Sequence, residues 1–561
     1  MKKVFLISIV VLMASNCFSQ LPNWIWARQA TGTVMQNAWS VATDVQGNVY
    51  ATGWYDSTMV FGSFLLPSAG GDDIFLVKYD ANGNVIWAKR AGGSNEDRAY
   101  SVTTDISGNV YVTGFFASPT ITFGTFTLTN FGFTTDIFIV KYDSNGSALW
   151  AHNVGGSTGQ GDIGESIATD VLGNVYIAGE FYNHTITFGS NTFINADNSG
   201  MYSDIFLAKY DTNGNLIWAK NAGGADNENG SSISTDVAGN IYLTGEFSSP
   251  TITFGSTTLI NSGGFYIAKY DLNGNVVWAR TTTGYLYSSG RSVATDVSKN
   301  AYVTGVFGGT TIVFGSDTLI NFDVSGIITD MFVVKYDSIG NVIWVRKAGG
   351  NYDVMGQSIS TNTSLASNAL SIYVTGRIEG TSIIFDTDTI SVPSVGNDPD
   401  ILFIVEYDFN GNVICASVLK DGNAIWSAVA TDNFGNAYTV GEFQNNQFAV
   451  GTDTLTLTAG STFFIAKYNC EGTTVNTKEI LQQEFVSIYP NPFTLQTNIN
   501  FAEEQLNSTI RIIDIVGKEI KTINFTGRQL VIDNAEMKAG IYFVQTTDEK
   551  NNVTNKKIII Q

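Results

Sequence analysis

Short apolar runs separated by polar turns dominate the chain, and the stretch KYDTNGNLIWAK (209–220) shows the pattern most clearly. Apolar residues 205–210 lead into Asp211-Thr-Asn-Gly-Asn215, and an apolar run resumes at 216–219. Asn and Gly accept left-handed backbone angles, so the stretch predicts a β-hairpin. The same hairpin recurs at 78–89, 141–152, 269–280, 335–346 and 406–417, the last copy reading EYDFNGNVICAS.

A second motif precedes each hairpin. It reads SVATDVQGNVYATG at 40–53 and recurs at 101–114, 166–179, 232–245 and 292–305. A stretched copy joins SISTN (358–362) to IYVTG (372–376), and a further copy is AVATDNFGNAYTVG (428–441). Its closing glycines are spaced 61, 65, 66, 60, 71 and 65 residues apart, which makes seven units. Each unit supplies strands a (for example 232–235), b (240–247), c (265–270) and d (276–280), the composition of a propeller blade. Strand a is built of small residues, as a crowded axis requires, and strands c and d are apolar on both faces, as neighbouring blades require. The phase of the array is informative. Residues 23–28, NWIWAR, match strand d with nothing before them, whereas strand c at 463–468 has no strand d after it. The expected fold is therefore all-β: a seven-bladed β-propeller closed by an N-terminal strand, so that no edge is left open. Over 24–468 these motifs resemble the SBBP-type β-propeller repeat family, and that resemblance implies the propeller but little about chemistry.

Most units insert a second hairpin between b and c, such as TITFGSNTFIN (185–195) and TITFGSTTLIN (251–261). Strand alternation puts these inserts and the d-to-a loops on one face, and variable loops on a rigid scaffold are where binding usually resides. The d-to-a loops carry Glu96, Asp97, Arg98, Asp226, Glu228, Tyr285, Tyr287, Tyr352 and Asp353. Carboxylates and tyrosines around a pocket suit a sugar or peptide, and paired acids can act on a glycosidic bond. A solvated polar rim accounts for the same residues, and no catalytic pair stands out.

After residue 468 the period stops. The expected domains are a signal peptide at 1–19, the propeller at 20–470, a polar linker at 471–485 and a small β-sandwich at 486–561. The last segment closely resembles the type A C-terminal sorting domain of the type IX secretion system. The matching residues are Tyr489-Pro490-Asn491-Pro492, then Asp514, Gly517 and Lys518, then Gly540 and Tyr542, and finally Lys556 and Lys557. The resemblance implies the type IX secretion machinery as a partner, passage through periplasm and outer membrane of a Gram-negative bacterium, and removal of the tail with release or anchoring at the surface.

The start of the chain agrees with export: Lys2 and Lys3, an apolar run at 4–13 and small residues, with cleavage expected after Ser19. A lipoprotein reading through Cys17 is weaker, because Asn16 stands where a small residue is needed. No other apolar stretch approaches the roughly 18 residues of a membrane helix. Among 561 residues there are 29 basic and 50 acidic side chains, a net charge of −21 that repels phosphate backbones and argues against nucleic acid. Cys415 and Cys470 are expected to be two unpaired buried thiols, since Cys415 stands where other units carry Trp. The DxNGN turns invite a calcium reading, but Gly214 falls at position 4 instead of 6 and Ala222 leaves position 12 without a carboxylate. Turn formation alone requires those residues. Only His152 and His184 exist, and no HExxH, GxSxG or Walker motif is present. The expected function is a secreted or cell-surface scaffold for binding or adhesion to an extracellular glycan or protein, without catalysis or cofactor. The alternative is a secreted glycan-active enzyme using carboxylates on the loop face.

Overall fold

The computed structural model describes residues 23–470 and 486–560, apart from 33–34, 133, 157–160, 198–199, 261–263, 285–286, 324, 363–370, 386–387, 392–399, 420–426, 445–446, 458–459, 490–494, 515–517, 535–536, 539 and 548–552. The expected signal peptide and linker lie outside the described residues. Every described element is a strand. The chain divides into two compact units, 1–472 and 473–561.

Among the described residues the first unit contains seven antiparallel sheets built on the same four-strand meander. In the fourth, Glu228–Thr235, Ile241–Phe247, Gly264–Tyr270 and Val276–Thr281 are strands a to d. Strands b and c are buried along most of their length, and along all of it in Val110–Phe116 and Asp136–Tyr142, because each sheet is covered on both faces by its neighbours. Their continuous apolar content follows from that position. The inserts form separate hairpins such as Thr251–Phe254 with Thr257–Ile260. In one case, Ser382–Phe385 with Asp388–Ser391, the insert extends a neighbouring sheet to six strands.

Two hydrogen-bond systems tie the inner strands into a ring. Each strand a ends in a threonine whose hydroxyl donates to the carbonyl of the equivalent threonine one sheet back: Thr104 to Thr43, Thr169 to Thr104, Thr235 to Thr169, Thr295 to Thr235, Thr361 to Thr295 and Thr431 to Thr361. Thr43 donates to Thr431 and completes a circuit of seven bonds of 2.7–2.9 Å. Three residues earlier, the serine at Ser40, Ser101, Ser166, Ser232, Ser292 and Ser358 accepts the backbone N–H of the next strand at 3.1–3.2 Å. The remaining sheet has Ala428 at this position, which carries no hydroxyl.

The aspartate after six of the seven ring threonines builds the a-to-b turn, and Asn362 stands in its place in the sixth sheet. Asp105 Oδ1 accepts from the N–H groups of Ser107 and Asn109, while Oδ2 accepts from Asn109 Nδ2 and the Tyr111 hydroxyl. Glycine usually supplies the left-handed residue of this turn, as Gly239 does at φ 78°. In the fifth unit Lys299 adopts φ 66° in that place.

Closure follows the phase of the repeat. Asn23–Gln29 pairs antiparallel with Thr462–Asn469, from Trp24 opposite Tyr468 to Gln29 opposite Phe464, so the last sheet takes its outer strand from the start of the chain. One expectation is corrected: Cys415 and Cys470 are joined in a disulfide, with a Cα–Cα distance of 6.3 Å. They meet because they occupy facing positions on two adjacent sheets, a relation that packing of a lone Cys415 in a tryptophan slot does not reveal.

The second unit consists of Val486–Tyr489, Gln496–Asp514, Glu519–Asp533, Gly540–Thr547 and Val553–Ile560 in one hydrogen-bonded five-stranded sheet. Gln496–Asp514 shifts register between Asn500 and Ser508, so its first half pairs with Val486–Tyr489 and its second with Gly540–Thr547. Ile499, Phe501, Ile510, Ile512, Val544, Ile558 and Ile560 collect into its core. Of the expected sorting residues, Tyr542 is buried and donates to the Lys538 carbonyl, Asp514 Oδ1 accepts the Lys518 N–H, and Lys556 and Lys557 pair opposite Val544 and Phe543. Pro490, Asn491, Pro492 and Gly517 lie outside the described residues.

Candidate functional site

Each of six inner strands is broken by a β-bulge one residue before its ring serine. In the first, Ala38 pairs with Gly53 and Ser40 with Thr52, so Trp39 is the extra residue. The recurring glycine opposite makes this geometry available: a Cβ at Gly53 would collide with the Asn37 carbonyl oxygen. A bulge re-aims the side chain it carries and is common beside functional sites. The extra residues are Trp39, Tyr100, Glu165, Ser231, Arg291 and Gln357, and Ser427 holds the equivalent place in the last sheet. All seven line a single cavity of about 640 Å³.

The wall of this cavity is divided by chemistry. Trp39 and Tyr100 meet edge to face at 3.9 Å, and Tyr100 leans on Phe115 at 5.7 Å, giving an aromatic side. Glu165 and Glu180 form an acidic side. Glu180, 7% exposed, accepts from Ser203 at 3.2 Å, Tyr182 at 3.3 Å and Asn229 at 3.4 Å. Burial raises the Glu165 carboxyl above its ordinary range, the Glu180 charge adds to the rise, and Arg291 opposes it. Burial likewise raises Glu180, against the hydrogen bonds from Ser203 and Tyr182. Arg291 donates to the Tyr287 hydroxyl at 3.2 Å, and the Ser427 hydroxyl donates to Gln357 Oε1 at 2.8 Å. Arg377 is held by Glu379 at 3.2 Å and Asp400 at 3.4 Å.

The loop residues singled out by sequence do not converge. Asp97 is buried and accepts from the N–H groups of Gly93, Ala117 and Ser118 and from the Ser118 hydroxyl, with burial pushing its carboxyl up to about 6. Glu228 is also buried, accepts the Ser249 N–H at 3.1 Å and is pushed up to about 7 by burial. Both brace loops from within. Arg98 lies 4.7 Å above the Trp54 ring and is paired with Asp72 at 2.6 Å and with exposed Glu96 at 3.3 Å. Asp353 accepts both the N–H and the hydroxyl of Thr329, and the Asp226 N–H donates to Ser249. Tyr352 is exposed, and Tyr285 lies outside the described residues. Of this set Tyr287, through Arg291, and Arg98, through Tyr100, touch the cavity lining.

The bulge residues carry a signal that sequence can supply, namely one variable position immediately before a nearly constant serine. In the DxNGN turns, Asp211 Oδ1 accepts from the Asn213 and Asn215 N–H groups and Oδ2 from Asn215 Nδ2, so both oxygens serve the hairpin. Among the described residues one cluster has metal-ligand proximity, Glu406 with Cys415 and Cys470, and its sulfurs are already bonded to each other.

Comparison with known proteins agrees with the fold and the destination. The beta-propeller repeat family SBBP matches residues 86–114, and the secretion system C-terminal sorting domain matches 487–561. An uncharacterized WD repeat-containing protein of Acanthamoeba polyphaga mimivirus is 27% identical over 59% of this chain and 29% of its own length. An endo-acting ulvan lyase of Formosa agariphila is 33% identical over 16% of this chain and 17% of its own length. The chain thus spans less than a third of the curated relatives it matches. Among solved structures, the PorZ surface component of the type IX secretion system of Porphyromonas gingivalis aligns over 93% of this chain and 81% of its own, at 10% identity and a TM-score of 0.22. No helix among the described residues is long and apolar enough to cross a membrane. The chain carries an SBBP-type β-propeller repeat at 86–114 and a type IX C-terminal sorting domain at 487–561, which marks it for the cell surface or the extracellular space.

Proposed function

We propose that the exported propeller is a binding protein that holds an extracellular glycan in its axial cavity without transforming it. One observation carries the reading: the bulge position is the place in the inner strands where a nearly constant repeat becomes chemically diverse, and all its side chains share one cavity of about 640 Å³. That volume falls within the range of ordinary ligand pockets. The Trp39–Tyr100 side offers aromatic surface to the apolar face of a sugar ring, while Glu165, Arg291 and Gln357 offer acceptors and donors to its hydroxyls. A glycan and matrix binding screen on the exported protein, run beside Trp39→Ala, tests this. Retained binding to the same glycans by the variant would refute it.

The second reading, a glycan-active enzyme, draws on Glu165 and Glu180. Two carboxyls in one cavity, each raised by burial, can divide the roles of proton donor and base. Release of sugar products by the exported protein, abolished by Glu180→Gln, would favour it over pure binding.

The sorting tail is tested separately. Deleting 486–561 is expected to leave the protein in the periplasm, and finding the truncated chain outside the cell would overturn the export assignment.

A further inference from the structure

The joints between adjacent sheets follow one rule with a single exception. In each ordinary joint a tryptophan on strand d donates its indole N–H to a carbonyl in the DxNGN turn of the next sheet. The pairs are Trp26 to Ala81, Trp87 to Ser144, Trp150 to Thr212, Trp218 to Leu272, Trp278 to Ser338 and Trp344 to Phe409, all at 3.1–3.2 Å. The lysine of strand c reaches the same carbonyl, as Lys141 does at Thr212 and Lys269 at Ser338, both at 2.9 Å. Indole and ammonium therefore clasp one turn between them.

Between the sixth sheet and the last, all three parts change. Cys415 replaces the tryptophan and Glu406 replaces the lysine, since the copy reads EYDFNGNVICAS. The receiving hairpin is missing, because the last sheet takes its outer strand from Asn23–Gln29 and the chain leaves after Asn469. Lys467-Tyr-Asn-Cys470 aligns with Lys78-Tyr-Asp-Ala81, so Cys470 occupies the position whose carbonyl the other joints use. That is the residue to which Cys415 is bonded. The Tyr468 hydroxyl lies 3.0 Å from Cys415 Sγ and 3.3 Å from Cys470 Sγ, and both sulfurs are buried.

The buried charges change as well. In three sheets the lysine stands 3.7–4.0 Å from the turn aspartate, Lys78 from Asp44, Lys209 from Asp170 and Lys269 from Asp236. In the sixth sheet Glu406 replaces the lysine and Asn362 the aspartate, so the lysine–aspartate pair has no counterpart there. This joint keeps hydrogen bonds of its own, from the Trp24 indole to Ser417 at 3.2 Å and from the Tyr373 hydroxyl to the Gly435 carbonyl at 3.3 Å, and the covalent bond stands where the strand d tryptophan and its turn would be.

We propose that the Cys415–Cys470 disulfide is a redox latch that replaces the indole clasp at the joint where the two ends of the ring meet, and that it forms only after the chain leaves the cytoplasm. Two thiols lose two protons and two electrons to a disulfide-bearing thiol oxidoreductase of the periplasm, which is reduced to its dithiol as the S–S bond forms. Cys470 also lies two residues before the end of the first compact unit, which closes at Gly472. The latch therefore anchors the root of the tail to the sixth sheet, so that tension on the tail during export is not borne by Thr462–Asn469 alone.

The test uses the exported full chain. Alkylation under denaturing conditions followed by intact mass is expected to add no label without reductant and two labels after reduction; two labels without reductant would overturn the latch. Hydrogen exchange then locates its effect. In Cys415→Ser, or in native protein treated with dithiothreitol, exchange in Asn23–Gln29 and Thr462–Asn469 is expected to quicken at least about tenfold while Asp204–Tyr210 stays unchanged. Equal exchange everywhere, or uniform loosening of all the sheets, would overturn it. The double variant Cys415→Trp with Cys470→Ala restores the ordinary side chain without the hairpin that receives it, and is expected to remain fast; full protection in that variant would show that a covalent latch is unnecessary.

Discussion

The inner strands hold two rings of side chains four residues apart that behave in opposite ways. At the end of each strand stands a threonine, the same in all seven units, and its hydroxyl is spent on the neighbouring strand. Four residues earlier the bulge position carries Trp39, Tyr100, Glu165, Ser231, Arg291, Gln357 and Ser427, and these line the cavity. In a repeat, identity marks what each unit owes to its neighbours, and divergence marks what the assembled molecule offers to something else. The difference teaches where to look for function in a chain whose local motifs all have structural explanations.

The sharpest way to break the comparison is to damage the constant positions. Asp236, 2% exposed, follows a ring threonine, accepts from Ala238 N–H, Asn240 N–H and Asn240 Nδ2, and lies 3.7 Å from buried Lys269. Asp236→Ala leaves that lysine without its partner and is expected to cost about 3–5 kcal/mol in denaturant unfolding. Any ligand selectivity should survive in the fraction that folds.

Trp39→Ala should do the reverse. Loss of an aromatic anchor is worth about 2 kcal/mol of binding, or roughly thirtyfold in Kd, with the melting temperature nearly unmoved. Equal loss of stability and binding would erase the distinction between the rings. A smaller effect is expected at Thr235, whose hydroxyl donates to the Thr169 carbonyl at 2.7 Å. Thr235→Val should cost about 1 kcal/mol of stability and leave Kd unchanged, because it removes one partly buried hydrogen bond.

The smallest effect depends on pH. Burial and the neighbouring Glu180 raise the Glu165 carboxyl, so the folded chain holds its proton to higher pH than the unfolded chain does. The folded state then binds more protons between those two titrations, and stability falls as pH rises through the folded value. Glu165→Gln is expected to raise the melting temperature by about one or two degrees at pH 8 and to leave it unchanged at pH 5, measured calorimetrically. An equal shift at both pH values would show that the carboxyl titrates normally.

Hairpins, blade content and ring closure are legible in the sequence because turn chemistry and strand phase are local. Asn213-Gly214 announces its hairpin, and NWIWAR announces the missing outer strand of the last sheet. The candidate site is legible only against the repeat. A motif bounded at Ser40 leaves Trp39 outside it, and Trp39, Tyr100, Glu165 and Arg291 look unrelated until a shared bulge gives them one address. Charged loop residues mislead for a physical reason: turning the backbone between strands exposes N–H groups, and Asp97 and Glu228 are consumed in satisfying them. The disulfide is hidden in the same way, since Cys415 and Cys470 become partners only when each is placed in its slot of the joint.

Trp24, among the first residues of the propeller to be synthesised, donates its indole N–H to Ser417, 393 positions away. Contacts of such span are slow to form, because a long loop must close before they contribute. Until translation reaches the final repeat, the growing polypeptide lacks the segment against which its own beginning must dock. The order of the repeats along the chain thus makes closure of the ring the last step that folding can take.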